Sequence, residues 1–198
     1  MSPHAIPHLL DRAQLTCRAV IESPAGSRAK FEFNRETGLF ELHRMLPAGL
    51  VFPLDFGFVP STLGEDGDPL DILVLTEAAV PVGCLLQVKL LGVIEAEQTE
   101  QVDGRANTVR NDRIVARLYE SRSYRELGRL EQLGDSFTEE LQRFFEALNE
   151  LKGNRFELTA LAGPERAEEL IAEGAAKAAE SGHSSCGREQ DAPWRSAT

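Results

Sequence analysis

Glu65-Asp66-Gly67-Asp68-Pro69-Leu70-Asp71-Ile72-Leu73-Val74-Leu75 is the stretch from which the rest of the chain is read. Gly67 and Pro69 break regular structure, and the apolar run from Ile72 to Leu75 has the pattern of a buried strand. Asp66, Asp68 and Asp71 therefore sit on a tight turn that feeds a rigid strand. Three oxygen-bearing groups on a preformed scaffold suit a hard cation. Without a cation they repel one another and take up protons. A solvated Asp-Gly turn is the plainer alternative, but a third aspartate after Pro69, set against the apolar run, favours a metal site. An EF-hand loop starting at Asp66 fails, because Leu70 would fill a ligand position and Asp71 would stand where the sharp turn needs Gly.

Upstream, 16–23 and 29–33 read as two strands joined by Pro24-Ala-Gly-Ser, and Leu39–Leu42 as a third after the Glu36-Thr-Gly38 turn. Residues 50–60 carry Phe52, Phe56 and Phe58 among Pro53, Gly57 and Pro60, and read as a core-lining aromatic loop. Residues 1–14 read as a loose arm; His4 and His8 lie four apart, but Pro3 and Pro7 argue against a helix that would align them. His43 reads as structural or surface. Downstream, Cys84 to Ile94 is a long apolar strand with a bulge signalled by Gly92. Residues 95–113 are polar and read as irregular, and Ile114–Leu118 returns to strand. Ser136 and Glu139 form a capping-box pattern ahead of Phe137, Leu141, Phe144, Phe145, Leu148 and Leu151, a helix closed by Gly153. Residues 155–161 alternate as a last strand, and Pro164 opens a second helix to about Glu180. Many short strands followed by two helices predict an α+β, mainly β fold: a small barrel with flanking C-terminal helices. The reading gives one domain over 1–180 and a disordered tail over 181–198, where Trp194 is the lone large apolar residue.

The chain has 198 residues and a net charge of −11. That field disfavours nucleic acid and anionic membranes as partners. An anionic substrate would need local cations or metals. Cys17, Cys84 and Cys186 are odd in number and scattered, so neither a zinc site nor a disulfide framework is expected. No run approaches membrane-spanning length, and the cytoplasm is the expected setting.

Asp66-Gly67-Asp68-Pro69-Leu70-Asp71 resembles the signature of the family I soluble inorganic pyrophosphatases. Glu22-Ser-Pro-Ala, Lys30-Phe-Glu32, Arg44, Phe52-Pro53-Leu-Asp-Phe56-Gly57-Phe58 and Gly92-Val93-Ile94 follow the same order and spacing. The resemblance covers about residues 15–160. It implies a five-stranded, OB-like barrel with its site at the polar mouth, and Mg²⁺-dependent hydrolysis of pyrophosphate, with Mn²⁺ as a further possible ion. It implies Asp66, Asp68 and Asp71 at the metals, with Asp71 bridging two ions and Asp68 also deprotonating the attacking water. Lys30, Arg44 and Arg113 would hold phosphate, while Glu22 and Glu32 would act through bound waters. A homo-oligomer is expected on the same ground.

Three elements depart from the family pattern. Its Asp-x4-Asp-x-Lys element is replaced by Gln98, an insertion, and Asn111-x-Arg113. Glu97, Asp103 or Asp112 could restore the missing charge. Phe52 and Phe56 replace tyrosines, and Leu148-Asn149 replaces a Tyr-Lys pair. A degenerate binder of metal or phosphate, or a hydrolase of another phosphoanhydride, are the alternatives to a working pyrophosphatase.

Overall fold

Ile72, Leu73, Val74 and Leu75 are all buried, because the strand that carries them is covered on both faces. Ile72 and Val74 enter one apolar cluster with Ile21, Leu90 and Ile114, while Leu73 and Leu75 enter a second with Phe52, Leu91 and Phe145. The computed structural model describes residues 2–102 and 105–185. Nine strands are present among them: β1 Thr16–Ser23, β2 Ala29–Asn34, β3 Leu39–Met45, β4 Asp55–Phe58, β5 Asp71–Leu75, β6 Leu85–Val102, β7 Arg105–Arg110, β8 Arg113–Leu118 and β9 Arg155–Ala162. Two helices follow the barrel strands, α1 Asp135–Glu150 and α2 Pro164–Ser185.

The sheet order β1-β4-β5-β8-β6 closes on itself through a β1–β6 pairing. This five-stranded ring is the expected OB-like barrel, with β5 and β8 its parallel pair. β7 and β9 attach to β6, and β2–β3 form a separate hairpin. Ring closure removes the open edges that an isolated sheet would expose. Gly57 on β4 shows how tightly the ring is drawn. A Cβ there would lie 1.9 Å from the Val20 carbonyl oxygen on β1. Gly92 breaks the β6–β8 register, the bulge its position predicts.

α1 packs against one apolar cluster through Leu141, Phe144, Phe145 and Leu148, and α2 against the other through Ala167 and Ile171. The two helices thus cover apolar clusters fed by opposite faces of β5.

Several local expectations are corrected. Residues 95–102 and 105–110 are strand: β6 runs on to Val102 and β7 pairs beside it in antiparallel register. Part of the 50–60 loop is the fully buried strand β4. Ser136 does not cap α1; the helix begins at Asp135 after Gly134, which has φ 81°, and no side chain bonds the helix start. The N-terminal arm is not loose. The His4 ring packs 4.6 Å from Phe58 and 5.2 Å from Phe33, and its carbonyl accepts from Ser61 N–H. α2 passes Glu180 and ends at Ser185, so the first residues of the expected tail are helical. The rest of that tail, with Trp194, lies outside the described residues, as do Cys186 and Asp103.

Candidate active site

The turn at 65–70 is fastened from below. Thr62 Oγ1 accepts from Leu70 N–H at 3.0 Å, and Val59 N–H donates to Leu70 O at 2.9 Å. Within the turn, Asp66 Oδ1 accepts from Asp68 N–H at 3.1 Å. β5 then starts at Asp71, so the third carboxylate has the least freedom of the three. All three aspartates line a cavity of about 550 Å³ at one end of the ring.

The opposite walls come from other elements. β1 brings Glu22, and β2 brings Lys30 and Glu32. β6 and β7 bring Gln98, Glu100, Asn107 and Val109. β8 brings Arg113, and α1 with the turn after it brings Phe145, Asn149 and Lys152. Phe56, Phe58 and Phe33 supply apolar surface.

The ion pairs set the electrostatics. Arg113 Nη1 lies 2.9 Å from Asp71 Oδ2. The same nitrogen donates to Asn111 O and Asp112 O at 2.9 and 3.2 Å, and to Asn111 Oδ1. The guanidinium stands 5.3 Å from the Phe145 ring centroid. Lys30 Nζ pairs with Glu32, whose other oxygen lies 3.0 Å from His43 Nδ1. Burial pushes the Glu22 carboxyl up to about 8; the Phe33 N–H it accepts at 3.0 Å opposes this, and Asp71 adds to it. Asp68 is raised by burial and then by Asp66. Asp71 is raised by burial, against the pull of Arg113.

The replaced positions form a chain of amides. Asn111 Nδ2 donates to Gln98 Oε1 at 3.1 Å, and Gln98 Nε2 donates to Glu100 Oε1 at 2.5 Å. Asn154 Nδ2 donates to the same Glu100 oxygen at 2.8 Å. Two of the carboxylates considered from sequence do not reach the cavity. Glu97 is exposed, and Asp112 is taken up by Ala96 N–H at 3.1 Å and Arg110 Nε at 2.7 Å. Glu100 is the nearby carboxylate that lines it. Its signal was the alternation of Gln98 and Glu100 on one face of a strand, invisible while 95–113 read as irregular. Arg44 does not line the cavity; it pairs with Lys30 across the β2–β3 ladder, half-buried. Lys152 was missed because it lies just past the helix, in the closing turn.

The donor set is made of carboxylate oxygens, which suits a hard divalent ion. Among the described residues, no three such side chains already converge on one point. Asp68 and Asp71 are raised by burial first, and the neighbouring aspartates add to it, a charge that a bound cation would offset.

Residues 19–179 match the family model described as inorganic pyrophosphatase. The chain belongs to the inorganic pyrophosphatase family. It is 34% identical over 155 residues to the inorganic pyrophosphatase of Geobacillus stearothermophilus, covering 78% of this chain and 89% of that one. The Nanoarchaeum equitans inorganic pyrophosphatase is 34% identical over 154 residues, covering 77% and 91%. Among solved structures, the Thermus thermophilus inorganic pyrophosphatase superposes with a TM-score of 0.77 at 28% identity, over 90% of this chain and 99% of that one. The Neisseria gonorrhoeae inorganic pyrophosphatase gives 0.76 at 30% identity, over 88% and 97%.

Proposed function

We propose that this chain hydrolyses inorganic pyrophosphate to two phosphates with Mg²⁺ as its working ion. The observation that carries the reading is the meeting of the Asp66–Asp71 turn with Lys30 and Arg113 in one cavity of a pyrophosphatase-family fold.

Asp66, Asp68 and Asp71 would hold the metal. When bound, a divalent ion offsets charge on phosphate oxygens and makes water a better nucleophile at neutral pH. Asp68 lies on the exposed turn facing the cavity and accepts the proton of the attacking water. A raised carboxyl is a stronger base than an ordinary one, which suits that role. As the new phosphorus–oxygen bond forms, the bridging bond breaks and two phosphates result. Lys30 and Arg113 bind phosphate oxygens. Arg113 does so with Nη2, which has no hydrogen-bond partner among the described residues, while Nη1 is committed to protein oxygens. Arg44 contributes charge from behind Lys30 in the ladder. Glu22 and Glu32 act through ordered water, and the apolar rings limit stray solvent.

Self-association and a cytoplasmic setting belong to the same proposal. Among the described residues no helix is long and apolar enough to cross a membrane. Light scattering at micromolar protein tests the association. For the activity, phosphate release is measured from pyrophosphate, tripolyphosphate and ATP, each with Mg²⁺, Mn²⁺ or chelator. The reading expects pyrophosphate with Mg²⁺ to be preferred. Turnover of ATP or tripolyphosphate above that of pyrophosphate would replace it with another phosphoanhydride.

A further inference from the structure

We propose that Lys152, in the turn that closes α1, is a second phosphate clamp, and that it takes over the cationic role for which Leu148-Asn149 offers no charge. The proposal rests on the pyrophosphate reading of the site.

Lys152 lines the same cavity as Lys30 and Arg113, from the helical wall. It follows Asn149 by three residues, which on a helical path places both on one side. Among the described residues it has no carboxylate within ion-pair distance. Its charge instead feels Lys30 and Arg113 most, with Glu32 opposing them and Arg44 adding to them. Burial and these cations pull its ammonium below the usual lysine range. Lys30 and Arg113 have Glu32 and Asp71 as partners, whereas Lys152 adds a cation with no carboxylate of its own, and a polyanion bound among the three supplies the missing charge.

Lys152 itself stands exposed at the rim, and two buried atoms are unpaired on the same walls. Arg113 Nε is a donor without an acceptor, and Asn149 Oδ1 is an acceptor without a donor. Asn149 Nδ2 meanwhile donates to Phe145 O at 2.9 Å, which fixes its side chain along the helix. Native proteins leave few such atoms, and those at a cavity wall are completed by ligand or water. The cations then divide between walls. Lys30 and Arg113 stand on the strands, and Lys152 stands on α1. A diphosphate has two charged ends for two such groups, whereas a single phosphate does not.

The test uses Lys152→Gln, with Lys152→Arg to restore charge and Arg155→Gln as a surface control. Arg155 is exposed and pairs with Glu157 at 3.0 Å, away from the cavity. Losing a hydrogen bond to a charged group is expected to raise KM for pyrophosphate ~10–100-fold in the Gln variant. The Arg variant should recover most of it, and the control should match wild type. Calorimetry with imidodiphosphate, a non-hydrolysable diphosphate, reads the clamp without turnover. Binding should weaken by a similar factor in the Gln variant, and inorganic phosphate binding should weaken less. A wild-type protein that binds imidodiphosphate through Lys152 but releases no phosphate would overturn the hydrolytic reading and leave the clamp standing. A Gln variant within twofold of wild type in both KM and imidodiphosphate affinity would overturn the clamp.

Discussion

Replacing Arg113 by Met removes the cation that now neutralises Asp71 while keeping most of the apolar stem. Arg113 is 5% exposed, and Asp71's side chain is 24% exposed. Breaking one side of a buried ion pair costs about 3–5 kcal/mol. The partial exposure of Asp71 lowers that figure, because its carboxylate can be rehydrated or protonated. The loss of the guanidinium over Phe145 adds to it. A net loss of about 2–3 kcal/mol follows, and at 2–4 °C per kcal/mol for a chain of this size the expected fall in Tm is ~5–10 °C in chelator. A divalent cation then has a vacated place beside Asp71. Saturating Mg²⁺ should therefore raise the Tm of the Met variant more than that of wild type, since ligand stabilisation scales with occupancy of the folded state. Thermal unfolding by circular dichroism, with and without Mg²⁺, reads both effects. A Tm within about 2 °C of wild type in chelator would refute the structural role of the pair. An equal gain from Mg²⁺ in both proteins would refute the claim that guanidinium and metal share Asp71.

Asp68→Asn keeps shape and removes the base, so turnover of pyrophosphate should fall ~10²–10⁴-fold with Tm little changed; wild-type turnover would rule out that role. Gly57→Ala should abolish soluble expression or lower Tm by more than ~10 °C, because its Cβ meets the backbone of β1 at 1.9 Å and backbone cannot step aside; a folded, active Ala variant would contradict the ring geometry. His4 is held near 4 in the fold, from an ordinary 6.5, by burial and then by Arg35. The unfolded arm therefore binds the extra proton between those values, so arm docking is fullest above 6.5 and is lost as pH falls toward 4. Amide exchange at Ser61, corrected for intrinsic rates, should speed up over that window in wild type and not in His4→Gln; protection that ignores pH would exclude His4 as the cause.

The ring strands were legible because burial on one or both faces imposes a pattern that side chains must obey. Ile72–Leu75 and Cys84–Ile94 are such runs, and Gly92 marked its own bulge. The β6–β7 hairpin beyond Ala96 was illegible for the opposite reason. Glu97, Glu100, Arg105 and Asn107 pair in a ladder whose faces are largely open to water, so no apolar alternation records it. Its order comes from backbone pairing to β6, which any polar residue permits. The aspartate turn was legible as a cluster, since its members are neighbours in sequence. Glu100, Lys152 and the docking of His4 were not, because each reaches the cavity only through strand register, helix phase or a contact made far along the chain. The capping pattern at Ser136 misled because Gly134, at a positive φ of 81°, turns the chain into α1 two residues earlier.

The most direct test is the phosphate yield of the purified wild-type chain given pyrophosphate as its sole phosphoanhydride. Two phosphates per pyrophosphate consumed are expected, at a rate that rises with Mg²⁺ and stops on chelation. Intact pyrophosphate after prolonged incubation with saturating Mg²⁺, from protein that is folded and stable by circular dichroism, would contradict this.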